Sequence, residues 1–149
     1  MKIPEYVSQE EVRKVCAQLG ISDWSTRTGT DVPVGEAQII FEKVKPADLK
    51  IDPEEFRKGL EIELEHGTMF EDVNVTNNHP LLTGKIVVAH FKEMLDYYLR
   101  LDVAEIEGDI FKAILAGDAQ KAAAKQRKLS MARLELARWE EKQLEAAAG

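Results

Sequence analysis

Apolar residues recur at intervals of three and four along most of the chain, the period of helices that bury one face. Val12, Val15, Cys16 and Leu19 form the first such run. Ser8 and Glu11 ahead of it have capping-box spacing, and Gly20 supplies a left-handed stop. The pattern then fails: residues 22–48 hold the turn-rich SDWSTRTGTDVPVG and a brief apolar run, AQIIFEKVK, that Pro46 ends. An irregular excursion is predicted there, with one helical turn or a strand near Ile39, Ile40 and Phe41. Order returns at Asp52, an N-cap followed by Pro53 in the first helical position and by Glu54 and Glu55, whose charges favour the helix dipole. Phe56, Leu60 and Leu64 mark the buried stripe of this second helix, and Gly67 predicts its end. Pro80 opens a third helix, in which Thr83, Val87, Phe91, Met94, Tyr98 and Leu101 share one face. From Val103 the period continues through Ile106, Ile110, Phe111, Ile114 and Leu115 to a break at Gly117-Asp118, and a last helix follows over about residues 119–146.

These elements predict an all-α fold: a small helical domain built on a central helix-loop-helix hairpin, with a long C-terminal helical arm. The expected division is a helical core domain over residues 1–117, with 25–50 as an irregular insertion, and an arm over 118–149 that packs on the core or on a partner. The arm has a reversed charge order. Lys121, Lys125, Arg127, Lys128 and Arg133 precede Glu135, Glu140, Glu141 and Glu145, and Leu129, Ala132, Leu136 and Trp139 alternate at coiled-coil spacing for about two heptads. A solvated face on a packing helix is the common meaning of such a pattern. The alternative is a helix that joins a protein partner or a second copy of itself, making a homo-oligomer.

Composition narrows the function classes. A chain of 149 residues can bury a core without disulfides or structural metal. The one cysteine, Cys16, lies on an amphipathic face and reads as a packed thiol, and the first twenty residues are charged, with no apolar run resembling a signal peptide or membrane span. A reducing, cytoplasmic setting is the expectation, and Asn74-Val75-Thr76 is then an accidental glycosylation match. A net charge of −7 argues against nucleic-acid binding by the domain as a whole. Gly84-Lys85 lacks the earlier glycine and the following Ser or Thr of a phosphate-binding loop.

One constellation carries chemistry. Glu63 and His66 are three residues apart on the second helix, as are His90 and Glu93 on the third. If the two helices pack against each other, two carboxylates and two imidazoles converge. A Glu-x-x-His pair places both ligands on one helical face, as in di-iron carboxylate bundles, and the donor set suits iron, manganese or zinc. One copy has a single pair in that order and one reversed, so a di-iron set would need a dimer. The other reading is a structural polar cluster: a glutamate on a core-facing stripe needs a partner, and Tyr97, Thr76 and Asn77 are available to complete the network around Glu63 and His90. General acid-base catalysis by Glu63 with His90 is a third possibility. No nucleophile motif, glycine-rich phosphate loop or cysteine cluster favours an enzyme.

The central third also resembles a family. The run Phe56-Arg57-x-Gly59-Leu60-Glu61-x-Glu63-Leu64-Glu65-His66-Gly67, then Asn74-Val75-Thr76-Asn77, Pro80-Leu81-Leu82-Thr83-Gly84-Lys85-Ile86, Ala89-His90 and Asp96-Tyr97-Tyr98-x-Arg100-Leu101 are similar to the motifs of a family of short bacterial and phage helical proteins of unknown function. The resemblance implies a small helical domain and no assigned activity, and it implies that Glu63, His66, His90 and Glu93 belong to the family's pattern. Three departures stand out: Asn78-His79 replaces two acidic residues before the proline, residues 25–50 look like an insertion, and the tail after Leu101 is longer than typical.

Overall fold

The computed structural model describes residues 6–148. Residues 1–5, part of the charged N-terminal stretch considered above, and Gly149 at the end of the arm lie outside the described residues. The fold is all-helical, with six α-helices and no strand among the described residues: α1 (Gln9–Leu19), α2 (Val34–Val44), α3 (Pro53–Met69), α4 (Pro80–Glu93), α5 (Tyr97–Leu115) and α6 (Ala119–Ala148). None of these helices is long and apolar enough to cross a membrane. The chain divides into two compact units, residues 1–95 and 96–149. Gly117 and Asp118 form the turn between α5 and α6, which share the second unit.

In the first unit the predicted start signals operate as read. Ser8 Oγ accepts the Glu11 amide at 3.2 Å, and Asp52 Oδ1 accepts those of Glu54 and Glu55 at 2.9 and 3.2 Å. Gly20 closes α1 at φ 70°, with the Ile21 amide reaching back to the Cys16 carbonyl at 3.1 Å. The core holds Val12, Trp24, Val32, Ile40, Phe56, Leu60, Leu64 and Val87, all at most 1% exposed, each large side chain contributing roughly 1.5–3 kcal/mol by its burial.

Residues 34–44 correct the expected excursion. They form an eleven-residue helix that buries Ala37 and Ile40, and the Phe41 ring meets that of Phe56 at 4.8 Å between centroids. Ala37, Ile40, Phe41 and Val44 carry the helical period. Pro46 holds Lys45 in an extended conformation and ends the helix there. Gly84 on α4 lets α2 and α3 approach closely, since a Cβ at that position would stand 2.9 Å from Ile40 Cγ2 and 3.3 Å from Phe56 Cζ.

Two helix ends also differ from expectation. Gly67 does not terminate α3, which continues to Met69. Its missing side chain serves packing: a Cβ would overlap Asn78 Oδ1 and lie 2.8 Å from Asn74 Nδ2. The helix expected from Pro80 to Leu101 is two helices, because Met94 is extended (φ −161°, ψ 137°) and α5 restarts at Tyr97. No glycine or proline marks that break.

The second unit is an antiparallel hairpin. Gly117 turns at φ 70°, the Asp118 amide bonds to Ala113, and Asp118 Oδ1 caps α6 through the Lys121 amide at 2.8 Å. Ile106, Leu129 and Ala132 form its core with Val103 and Ile110 packed against them. Three ion pairs cross between the helices in antiparallel order: Arg100–Glu140 and Arg133–Glu107, each at 2.6 Å, and Lys125–Asp109.

Gly67→Ala should destabilise the first unit by roughly 1–3 kcal/mol, because Asn78 is buried and hydrogen-bonded where the methyl group would go. Urea denaturation checks this, and a midpoint equal to that of the unmodified protein would refute it.

Candidate functional site

Glu63 is the centre of the constellation because α3 turns it onto the face it shares with Phe56, Leu60 and Leu64, leaving its side chain 11% exposed. A carboxylate so enclosed requires a partner. His90 Nδ1 stands 3.0 Å from Glu63 Oε1, joining α4 to α3, and His90 is itself three-quarters buried. His66 Nδ1 lies 3.9 Å from the other oxygen, Oε2, but its side chain is 66% exposed. Glu93 is the exposed last residue of α4.

The structure therefore brings Glu63 and His90 together, sets His66 at the margin and leaves Glu93 at the surface. Among the described residues no three His, Cys, Asp or Glu side chains are grouped so as to hold a metal ion. Thr76 and Asn77 serve the loop. The Thr76 hydroxyl lies 3.4 Å from Asn74 Oδ1, its carbonyl accepts the His79 amide at 3.0 Å, and Asn77 Nδ2 donates to the Val7 carbonyl. Tyr97 begins α5 in the second unit, its ring edge-on to Tyr98 with centroids 5.2 Å apart.

The loop positions α4, and so His90, through backbone conformations suited to asparagine. Asn77 and Asn78 adopt left-handed φ of 47° and 59°, a region that asparagine tolerates better than most residues. Asn74 Nδ2 donates to the Gly67 carbonyl at 3.2 Å and to Asn78 Oδ1 at 3.1 Å, fastening the loop onto α3. His79 is then the N-cap of α4: its Nδ1 accepts the amides of Leu81 and Leu82 at 3.2 and 3.3 Å. The acidic residue expected before Pro80 is thus replaced by an imidazole that performs the same accepting role.

A cluster that the sequence did not suggest fixes the segment between α1 and α2. Trp24 is fully buried, and its Nε1 donates to Glu36 Oε2 at 2.9 Å. Glu36 Oε1 accepts the Ser22 amide at 2.9 Å, while Arg27 pairs with Glu36 at 3.3 Å and covers the Trp24 ring at 4.9 Å. Burial acts to raise the Glu36 pKa, but the bonds from Trp24 and Ser22 and the Arg27 charge outweigh it and hold the carboxyl below its ordinary value. The Trp24 amide points at Cys16 Sγ, 3.4 Å away, and burial pushes that thiol upward, consistent with a packed rather than nucleophilic cysteine. Trp24, Arg27 and Glu36 are separated in sequence by a turn, and no periodic signal links them.

A family model, "Protein of unknown function (DUF5661)", matches residues 12–107. The chain belongs to the DUF5661 family. The match runs through residues 25–50 and thus includes α2 and the Trp24–Glu36 cluster. No curated protein and no solved structure matches the chain.

Glu63→Gln and His90→Asn should each cost about 1–3 kcal/mol of stability, with a coupling above about 0.5 kcal/mol in a double-mutant cycle. The same cycle between Glu63 and His66 should give coupling near zero, because His66 is exposed. Equal couplings would refute this ranking.

His79 yields a pH prediction. Burial lowers its pKa below the ordinary value of about 6.5, against smaller opposing effects of its own backbone and of Glu11. Its cap bonds require a neutral Nδ1. The folded form thus takes up a proton less readily than the unfolded form, so the contribution of His79 is complete above about pH 6.5 and declines as pH falls towards its folded pKa. Thermal melts from pH 7.5 to 5 should show a shallower decline for His79→Asn, and superimposable slopes would refute the role.

Proposed function

We propose that this DUF5661 protein is a helical assembly module in which Glu63 and His90 are a structural pair and the α5–α6 hairpin provides the surface for protein association. One observation supports this reading above the others. The hairpin exposes Phe111 (62%), Ile114 (61%), Leu115 (72%), Met131 (67%), Leu134 (44%) and Leu144 (72%), large apolar side chains whose burial against a partner would favour association. The pair, by contrast, satisfies itself, since the carboxylate and imidazole are at hydrogen-bond distance and both are mostly buried. The free, packed thiol of Cys16 fits a reducing compartment such as the cytoplasm.

Elemental analysis separates this reading from a metalloprotein. Protein prepared without a metal-affinity step should contain no stoichiometric iron, manganese or zinc, and should keep its melting temperature in chelator. Stoichiometric metal in the unmodified protein that is lost in His90→Ala would overturn the structural role of the pair and, with it, the module reading.

A further inference from the structure

The loop over residues 70–79 is held to the first unit by hydrogen bonds and not by apolar burial. Its apolar residues, Phe70, Val73 and Val75, are all exposed, whereas the polar Asn78 and His79 are buried. Asn74 bonds to the Gly67 carbonyl and to Asn78, Asn77 to the Val7 carbonyl ahead of α1, and the His79 amide to the Thr76 carbonyl. His79 Nδ1 then accepts the Leu81 and Leu82 amides and so joins the loop to α4. Of the side chains making these bonds, only His79 titrates. A protonated imidazole has no acceptor at Nδ1 and would set a cation against the positive end of the α4 dipole.

We propose that this segment is a pH-sensitive latch: a proton on His79 breaks both cap bonds and releases residues 70–79 and the first turn of α4 while the rest of the first unit stays folded. The rest keeps its own anchors. Thr83, Val87 and Phe91 hold the later turns of α4, and Val12, Phe56, Leu60 and Leu64 lie outside the segment. Few charges bear on the latch. Glu11 of α1 favours the proton, α3 meets the loop at Gly67 through the neutral Asn74 and Asn78, the loop's Glu71 and Asp72 are exposed, and residues 80–83 of α4 carry no charge. Burial outweighs Glu11 and the backbone of His79 itself and holds the imidazole below its ordinary pKa. The opened segment therefore takes up the proton more readily than the closed one, so opening grows as pH falls below about 6.5. The inference does not rest on the reading of the hairpin as an association surface.

Global melting averages over such an opening, whereas amide exchange of the full chain, read by NMR as protection relative to an unstructured chain, resolves it by residue. Between pH 7.5 and 5.5 the protection of the Leu81 and Leu82 amides should fall at least about threefold. Those of Glu54 and Glu55, capped by Asp52 in the same chain, and those of Leu60 and Val87 in the core should change less. His79→Asp supplies a carboxylate cap whose ordinary pKa of about 3.9 lies below this range, and should keep Leu81 and Leu82 protected at both pH values. His79→Ala, with no acceptor, should leave them weakly protected at both. Imidazole nitrogen shifts of the unmodified protein at pH 7.5 should show His79 neutral with Nδ1 unprotonated. Constant protection at Leu81 and Leu82, a fall that persists in His79→Asp, or a proton on Nδ1 at pH 7.5 would overturn the role of His79. An equal fall at Leu60 and Val87 would overturn the latch, since the whole unit would then be opening.

Discussion

A side chain at position 67 would occupy the space that Asn78 fills, and the central packing of the first unit depends on that space staying empty. Asn74 and Asn78 lie over the side-chain-free backbone of α3 at Gly67, and the Asn74 amide bonds to the Gly67 carbonyl. This contact fixes where the loop turns. Two consecutive left-handed asparagines then deliver His79 to the start of α4, where its imidazole caps the helix. Once α4 starts there, Gly84 faces Ile40 and Phe56, and His90 faces Glu63. The pairing of a carboxylate with an imidazole is thus a consequence of a close backbone approach more than twenty residues upstream of His90.

Helix starts were legible in the sequence because their chemistry is local. Ser8, Asp52-Pro53 and Pro80 each act within three residues of themselves. Ends were harder for two opposite reasons. Gly67 looked like a stop because glycine serves both helix termination and close packing, and only the position of the loop shows which role applies. Met94 ends α4 with no local signal at all, so the apolar period, which continues through Tyr98 and Leu101, suggested one helix where there are two. Helix α2 was hidden differently: its period is present in Ala37, Ile40, Phe41 and Val44, but Pro33, Gly35 and Pro46 crowd it on both sides and suggested a turn-rich segment.

The chemistry was legible to the extent that helical spacing controls it. Glu63 on the stripe of α3 had to find a partner, and a histidine of the next helix is that partner. Which member of each i, i+3 pair turns inward depends on how α3 and α4 face one another, and no spacing rule decides it. His66 is therefore marginal and Glu93 exposed although both have the same separation from their neighbour. The Trp24–Arg27–Glu36 cluster shows the complementary gap. It contains a buried indole, a carboxylate and a guanidinium, yet these come from a 3-10 turn, an extended segment and a helix, so only tertiary structure assembles them.

The second unit divides its labour between apolar and charged groups in a way that bears on what its surface can do. The ion pairs Arg100–Glu140 and Arg133–Glu107 are about half exposed, and solvent screening leaves such pairs little weight in stability. Stability of the hairpin therefore rests on Ile106, Leu129 and Ala132 and on the turn at Gly117, while the ion pairs select the register in which these meet. Register selection is what such cross-pairs do well, because a shift by one turn separates Arg100 from Glu140 and Arg133 from Glu107 at once.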